Sequence, residues 1–345
     1  MLVPVINDVG TRGMMSSWKS VVCGCGAAVV GALLLTGCSS DGGSGGSGSG
    51  GGGGSASPSA AASTSAARTL ATLAQGSYVA LGDSYTAGPD IPAQDGTPAG
   101  CQRSSRNYPS LVAQSLKFAT DRVRDVSCSG ATIADLTGAQ STSDGVNAAQ
   151  LDALSSSTTL VTLGIGGNDV DFAGVLTRCV ELDLVPSLIG SSAAGSSPCQ
   201  AYYTSGGTNQ IEEKVQAAAT GVADVLSQIA QRAPHASVFV VGYPDLLPSG
   251  GNGCADTLGI TSADLVFLNQ EELRLNAMLR AGAKAADAVY VDTYTPSQEH
   301  NACTEPTVRW TEPLNPASSA APLHPNARGE QAMADAVLGA IKSAV

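Results

Sequence analysis

The chain has 345 residues, of which 43% are hydrophobic, 13% charged and 4% aromatic, with a formal charge of −12. That length admits one large domain or two small ones, and a core that need not rest on disulfides. Lys and Arg are scattered singly or in loose pairs, which excludes the clustered cations that nucleic-acid binding requires. Three histidines exclude most multi-histidine metal centres, so a catalytic imidazole has to be His235, His300 or His324.

The first predicted element is an address. Val21 to Leu35 is an apolar run preceded by Lys19 and followed by Leu35-Thr36-Gly37-Cys38. It falls short of the roughly 18 apolar residues that a spanning helix needs. A charged start, an apolar stretch and small residues before a cut site describe a secretory signal. With Cys at the cut site, the run resembles the lipobox of bacterial lipoproteins. That resemblance implies a signal over residues 1–38 and a lipid on Cys38. Asp8 is out of place in a signal's charged region, so Met14 or Met15 competes with Met1 as the start.

Residues 39–75 follow as a flexible tether, with ten glycines between Gly42 and Gly54 and little to bury. The expected location is the extracytoplasmic face of the cell membrane, lipid-anchored, with release into the medium as a variant. Beyond Cys23, Cys25 and Cys38 six cysteines remain: Cys101, Cys128, Cys179, Cys199, Cys254 and Cys303. An even number in an exported chain reads as disulfides, with every pairing open. No Cys-x-x-Cys pair or His cluster points to zinc.

From residue 76 to 345 short apolar strands alternate with amphipathic helices. Tyr78 to Leu81 is a strand, Asn107 to Phe118 a helix and Arg122 to Cys128 a strand. Thr159 to Ile165 is a buried strand. Val170 to Gly207 breaks the rhythm and reads as a disulfide-held excursion over the sheet edge. Its apolar residues (Phe172, Val175, Leu176, Leu182, Leu184, Val185, Leu188, Ile189) suit either an acyl groove or core packing. Ile211 to Arg232 is a helix with Val215, Val222, Val225, Leu226 and Ile229 on one stripe. Ser237 to Val241 is a strand, Ser262 to Ala286 a helix, Ala288 to Val291 a strand and Asn326 to Ile341 a closing helix. This alternation predicts an α/β fold, a three-layer α/β/α sandwich around a mainly parallel five-stranded sheet.

In such sheets sites lie beyond the carboxyl ends of the strands. Ser84 follows the first strand, Cys128-Ser129-Gly130 the second, and Gly166-Gly167-Asn168-Asp169 the third. His324 precedes Pro325 and the last helix, on a loop that can face the same rim. His235 lies between a helix and a strand, at the opposite end of the sheet. His300 sits in a polar loop beside Cys303, where solvation is expected.

Taken in order, Gly82-Asp83-Ser84, Gly130, Gly166-Gly167-Asn168-Asp169 and His324 resemble the sequence blocks of the SGNH (GDSL) hydrolase family. The longer match Ala80-Leu81-Gly82-Asp83-Ser84-Tyr85-Thr86-Ala87-Gly88 is similar to its secreted actinobacterial esterase and lipase branch. The resemblance covers about residues 76–345 and implies acyl transfer through a serine ester, without a cofactor. Ser84 would be the nucleophile and His324 the base. The Ser84 and Gly130 backbone N–H groups and the Asn168 side chain would form the oxyanion hole. Asp83 and Asp169 would support the turns that carry Ser84 and Asn168.

The departure is at the acid. The family usually carries Asp three residues before the His, and here that place is Ala321. A Ser–His dyad is therefore expected, with the Ala321 carbonyl fixing the imidazole tautomer. The rival is a carboxylate folding back, Glu312 or Asp292. The branch also implies chain-neighbour disulfides: Cys101–Cys128, Cys179–Cys199 and Cys254–Cys303.

The expectation is an exported, membrane-tethered monomeric esterase or lipase acting on small-molecule or lipid esters. A carbohydrate O-deacetylase or acyltransferase on the same scaffold is the alternative. A surface-binding lipoprotein without activity is a third reading, against which the complete set of four blocks argues.

Overall fold

The computed structural model describes residues 69–188, 196–251 and 254–344. The signal, the lipobox with Cys38 and all but the end of the tether lie outside the described residues. Five strands form the main sheet: β1 (Ser77–Gly82), β2 (Val123–Asp125), β5 (Thr158–Gly164), β6 (Ser237–Val241) and β7 (Val289–Val291). Their order is β2-β1-β5-β6-β7, and every pair is parallel. A small antiparallel hairpin, β3 (Gln140–Ser141) and β4 (Val146–Asn147), stands apart from it.

Successive side chains of a strand point to opposite faces, and here each face meets its own helices. Val79 and Leu81 of β1, with Val161 and Leu163 of β5, pack in one core with Val222 and Leu226 of helix Gln210–Arg232 and Leu275 of helix Ser262–Ala285. Tyr78 and Ala80 of β1, with Leu160 and Phe239, pack in the other with Val112 of helix Tyr108–Ser115 and Val337 of helix Ala327–Ala344. Both faces of β1 and β5 are buried, so these strands read as continuous apolar runs. The result is the three-layer α/β/α sandwich expected.

Two elements differ from the sequence reading. The strand at Arg122–Cys128 is only three residues long, although the Val126 and Cys128 N–H groups still donate to the Ala80 and Gly82 carbonyls of β1, and the Asp125 side chain accepts the Ser127 N–H at 3.0 Å. The Val170–Gly207 segment is largely helical, with helices Phe172–Leu188 and Pro198–Tyr203. It leaves from β5, the middle strand, rather than from a sheet edge. Among the described residues the disulfides are Cys101–Cys128, Cys179–Cys199 and Cys254–Cys303, the chain-neighbour pairing.

The chain goes from β1 outward to β2, then returns to the far side of β1 as β5. Loops leaving β1 and β5 therefore diverge, and the crevice at this switch point is where open α/β sheets bind ligands. Register puts the two strand ends level, with Gly82 opposite Gly164. The Gln150 side chain closes the end of β1, accepting the Gly82 N–H at 2.8 Å and donating to the Gly82 carbonyl at 2.9 Å. A Cβ at Gly82 would sit 2.2 Å from Thr86 Oγ1 and 2.6 Å from the Gly164 carbonyl. Only glycine lets the chain turn there.

Candidate active site

Ser84 is the first residue of a single-turn helix, Ser84–Ala87, that starts directly beyond β1. Asp83 caps it, its side chain accepting the Tyr85 N–H at 2.9 Å. The cap fixes the turn and leaves the Ser84 N–H, an orphan donor of the first helical turn, without an acceptor among the described residues. The Gly130 N–H is likewise without an acceptor among them, on a loop where Gly130 has φ +77°. The Cys128 N–H donates to the Gly82 carbonyl at 3.0 Å, which lays this loop beside the end of β1. Gln140 of the hairpin holds it from behind, donating to the Ser129 carbonyl at 2.9 Å.

Asn168 lies in the turn beyond β5. Its Nδ2 donates one hydrogen to the Ala131 carbonyl at 2.8 Å, which orients the amide and leaves its second hydrogen available. Asp169 accepts the Ile133 N–H at 3.1 Å and ties this turn to the second block. Burial pushes the Asp169 carboxyl above the ordinary range. Asp83 and Asp169 thus each accept a backbone N–H, that of Tyr85 in the Ser84 turn and that of Ile133 against the Asn168 turn.

His324 reaches the site from the far end of the chain. Its Nε2 lies 2.7 Å from Ser84 Oγ, and its Nδ1 lies 2.7 Å from the Pro322 carbonyl. A carbonyl can only accept, so the Nδ1 hydrogen points at Pro322 and a neutral ring leaves Nε2 bare. Burial pushes the imidazole below its usual 6.5, against the opposing pull of the Pro322 carbonyl and Asp90. The ring is therefore neutral near pH 7, with its free nitrogen aimed at the Ser84 hydroxyl.

The acceptor is Pro322 and not Ala321. The Ala321 carbonyl is taken by the His324 backbone N–H at 3.2 Å, closing a turn with Pro322 second and Leu323 third at φ +63°. Proline followed by a positive φ is the type II pattern, and Ala321 O is its closing acceptor. Neither rival carboxylate reaches the ring. Glu312 accepts from the Ala317 N–H, Ser318 Oγ and Asn326 Nδ2, and Asp292 accepts from Thr295 and faces Arg280. His235 is exposed in the turn before β6, away from the rim. His300 is not simply solvated: its ring stacks on Trp310 at 3.9 Å, and its Nδ1 donates to the Val308 carbonyl.

Two tyrosines join the site that the sequence reading did not single out. Tyr243, just beyond β6, donates to Asp83 Oδ2 and accepts the Gly167 N–H at 2.8 Å. One hydroxyl thus links the Ser84 turn to the Asn168 turn. Tyr85 packs edge-on against Tyr243 at 5.1 Å and lies 4.9 Å from the His324 ring, and it donates to the Leu323 carbonyl. The available signal was position: Tyr85 follows Ser84, and Tyr243 follows a strand end.

Ser84, Asn168 and His324 line one cavity of about 70 Å³, whose apolar wall includes Phe172, Leu176, Leu246, Leu275 and Leu323. Gly130 stands beside that cavity's Asn168 wall rather than in its lining. Of the insert's apolar residues Phe172 and Leu176 face the cavity, Val175 is in the core and Leu184 is exposed. No group of three or more His, Cys, Asp or Glu among the described residues could hold a metal. A hydroxyl hydrogen-bonded to a bare imidazole nitrogen, beside free N–H donors, is equipped for nucleophilic attack on a carbonyl.

Residues 80–332 match the GDSL-like lipase/acylhydrolase family. The chain is 38% identical over 260 residues to Lipase 2 of Streptomyces coelicolor, covering 75% of this chain and 83% of that protein. Among solved structures it is similar to phospholipase A1 from Streptomyces albidoflavus, with TM-score 0.62 and 28% identity over 79% of this chain and all of that one. An extracellular lipase from Streptomyces rimosus gives TM-score 0.60 and 27% identity, over 78% of this chain and all of that one.

Proposed function

The chain belongs to the GDSL-like lipase/acylhydrolase family and is a carboxylic ester hydrolase, and from that premise we propose an exported, lipid-anchored serine esterase or lipase working through a Ser84–His324 dyad. The observation that carries this reading is the 2.7 Å contact between His324 Nε2 and Ser84 Oγ in an apolar-walled cavity. Ser84 Oγ attacks the ester carbonyl as its proton passes to His324 Nε2. The Ser84 and Gly130 N–H groups and Asn168 Nδ2 take the oxyanion. The C–O bond to the alcohol then breaks, and the alcohol leaves with the proton from Nε2. An acyl group remains on Ser84. Water attacks it, giving its proton to Nε2. Collapse releases the acid and returns that proton to Ser84 Oγ. The Pro322 carbonyl does the orienting that the family's aspartate does elsewhere, holding the Nδ1 proton while Nε2 cycles.

Export and anchoring rest on Leu35-Thr36-Gly37-Cys38 and the Gly/Ser tether. The test is hydrolysis of p-nitrophenyl esters of graded chain length, and of phospholipid, by wild type and Ser84→Ala. Hydrolysis should fall at least about a thousandfold in the variant, the scale seen when a nucleophile is removed. Equal rates for both would overturn the reading. Preference for acetyl would favour a deacetylase, and long chains a lipase.

A further inference from the structure

The cavity holds one group that the dyad does not use. Glu272, on helix Ser262–Ala285, lines it together with Ser84 and His324, and is 3% exposed. Its Oε1 accepts the Leu246 N–H at 3.0 Å and the Leu247 N–H also bears on the carboxyl, while its buried Oε2 has no well-formed hydrogen bond among the described residues. Its neighbour Glu271, equally buried, pairs instead with Asn209 and Arg274. Among the described residues no Lys, Arg or His pairs with Glu272. Close behind it stands a second acid, Asp245, which accepts from Asn269 and Asn301.

Two carboxyls without a cation cannot both ionise in an apolar setting. Burial first, and then the Asp245 charge, push the Glu272 carboxyl well above the ordinary range. Asp245 rises less, to about 6, because its amide donors favour the charged form. Glu272 is thus the neutral acid of the pair. It has one O–H to donate beside a cavity whose other walls are mainly hydrocarbon.

A plain alkyl acyl chain leaves that donor unanswered. An oxygen on the chain answers it, and leaving a buried donor unsatisfied is the costlier state. We propose that Glu272 is a specificity-determining residue, whose carboxyl hydrogen-bonds an oxygen substituent on the acyl chain and so selects hydroxy- or oxo-substituted acyl esters over plain alkyl ones. This rests on the esterase reading and deepens it.

The experiment uses p-nitrophenyl esters of one chain length, either unsubstituted or hydroxylated at successive carbons. Wild type, Glu272→Gln, Glu272→Met and Ser84→Ala are compared by the ratio of kcat/KM for each hydroxylated ester to that for the plain one. The ratio cancels any general loss of activity within a variant. At one carbon the wild-type ratio should reach about tenfold, the scale of satisfying one buried donor. Glu272→Met should bring it to about one, and Glu272→Gln, which keeps an N–H donor, should retain part. If Glu272→Met does not fold, a changed ratio in Glu272→Gln carries the same meaning. A ratio near one at every carbon in wild type, or a ratio that neither variant alters, overturns the proposal. Undiminished hydrolysis by Ser84→Ala overturns the esterase reading instead.

Discussion

At the scale of single residues, the site is set by which hydrogen each polar atom carries. The Pro322 carbonyl holds the Nδ1 hydrogen of His324 and leaves Nε2 as the acceptor of the Ser84 hydroxyl. Because burial lowers the imidazole below 6.5, its loss of a proton should raise kcat/KM with pH through a midpoint below 6.5. A pH–rate profile checks this, and a midpoint above 7 would contradict it. The stability effect has the same sign. Between the folded value and 6.5 the unfolded chain binds more protons, so stability falls as pH drops through that window. Tyr243 acts through others, as a positioning residue. Tyr243→Phe keeps the ring against Tyr85 but removes the hydroxyl that joins Asp83 to the Gly167 N–H. Burial pushes the Asp83 carboxyl up to about 7, so above that pH the expected result is a fall in kcat of about ten- to a hundredfold with little change in KM, since a bond to a charged group is worth roughly 1.5–3 kcal/mol. Steady-state kinetics decide it: a change confined to KM would leave Tyr243 without that role.

Among the elements, the strand ends do the positioning and the loops beyond them are braced from outside. The Gly130 loop is pinned by Gln140 and by the Cys101–Cys128 bridge two residues upstream. The Ser129 N–H also donates to the Cys101 carbonyl at 3.0 Å, so both sides of the bridge touch this loop. Paired Cys101→Ser and Cys128→Ser substitutions should lower stability by about 3.5 kcal/mol, the chain-entropy value for closing a loop of that length. They should also lower kcat, because Gly130, the proposed oxyanion donor, loses its support. Thermal unfolding and kinetics together check this, and full kcat at reduced Tm would separate the bridge from the site. Apolar strand runs, the striped helix at 210–232 and the closing helix were legible in the sequence, because burial imposes a period on each. The helix at Phe172–Leu188 was not. Its apolar residues divide between the cavity, the core and the surface, so they mark no single face.

For the molecule as a whole, the four candidate catalytic blocks are spread from Ser84 to His324, yet converge at the switch point between β1 and β5. Ahead of the described residues stand the lipobox-like Leu-Thr-Gly-Cys and the glycine-rich stretch. Cys38→Ala should move the protein from the membrane fraction to the medium while activity toward soluble esters persists. Fractionation with an esterase assay tests that, and unchanged membrane retention would count against the anchor. The sequence by itself determined the layer architecture, the sheet composition and the residue types of the candidate site. These follow from local periodicity and from motifs whose chemistry demands particular side chains. Only the tertiary structure decided that Pro322 rather than Ala321 faces the imidazole, that Tyr243 ties two turns together, and that Glu272 borders the cavity. Each depends on the direction of an atom or on contacts across the fold, which residue spacing along the chain does not encode.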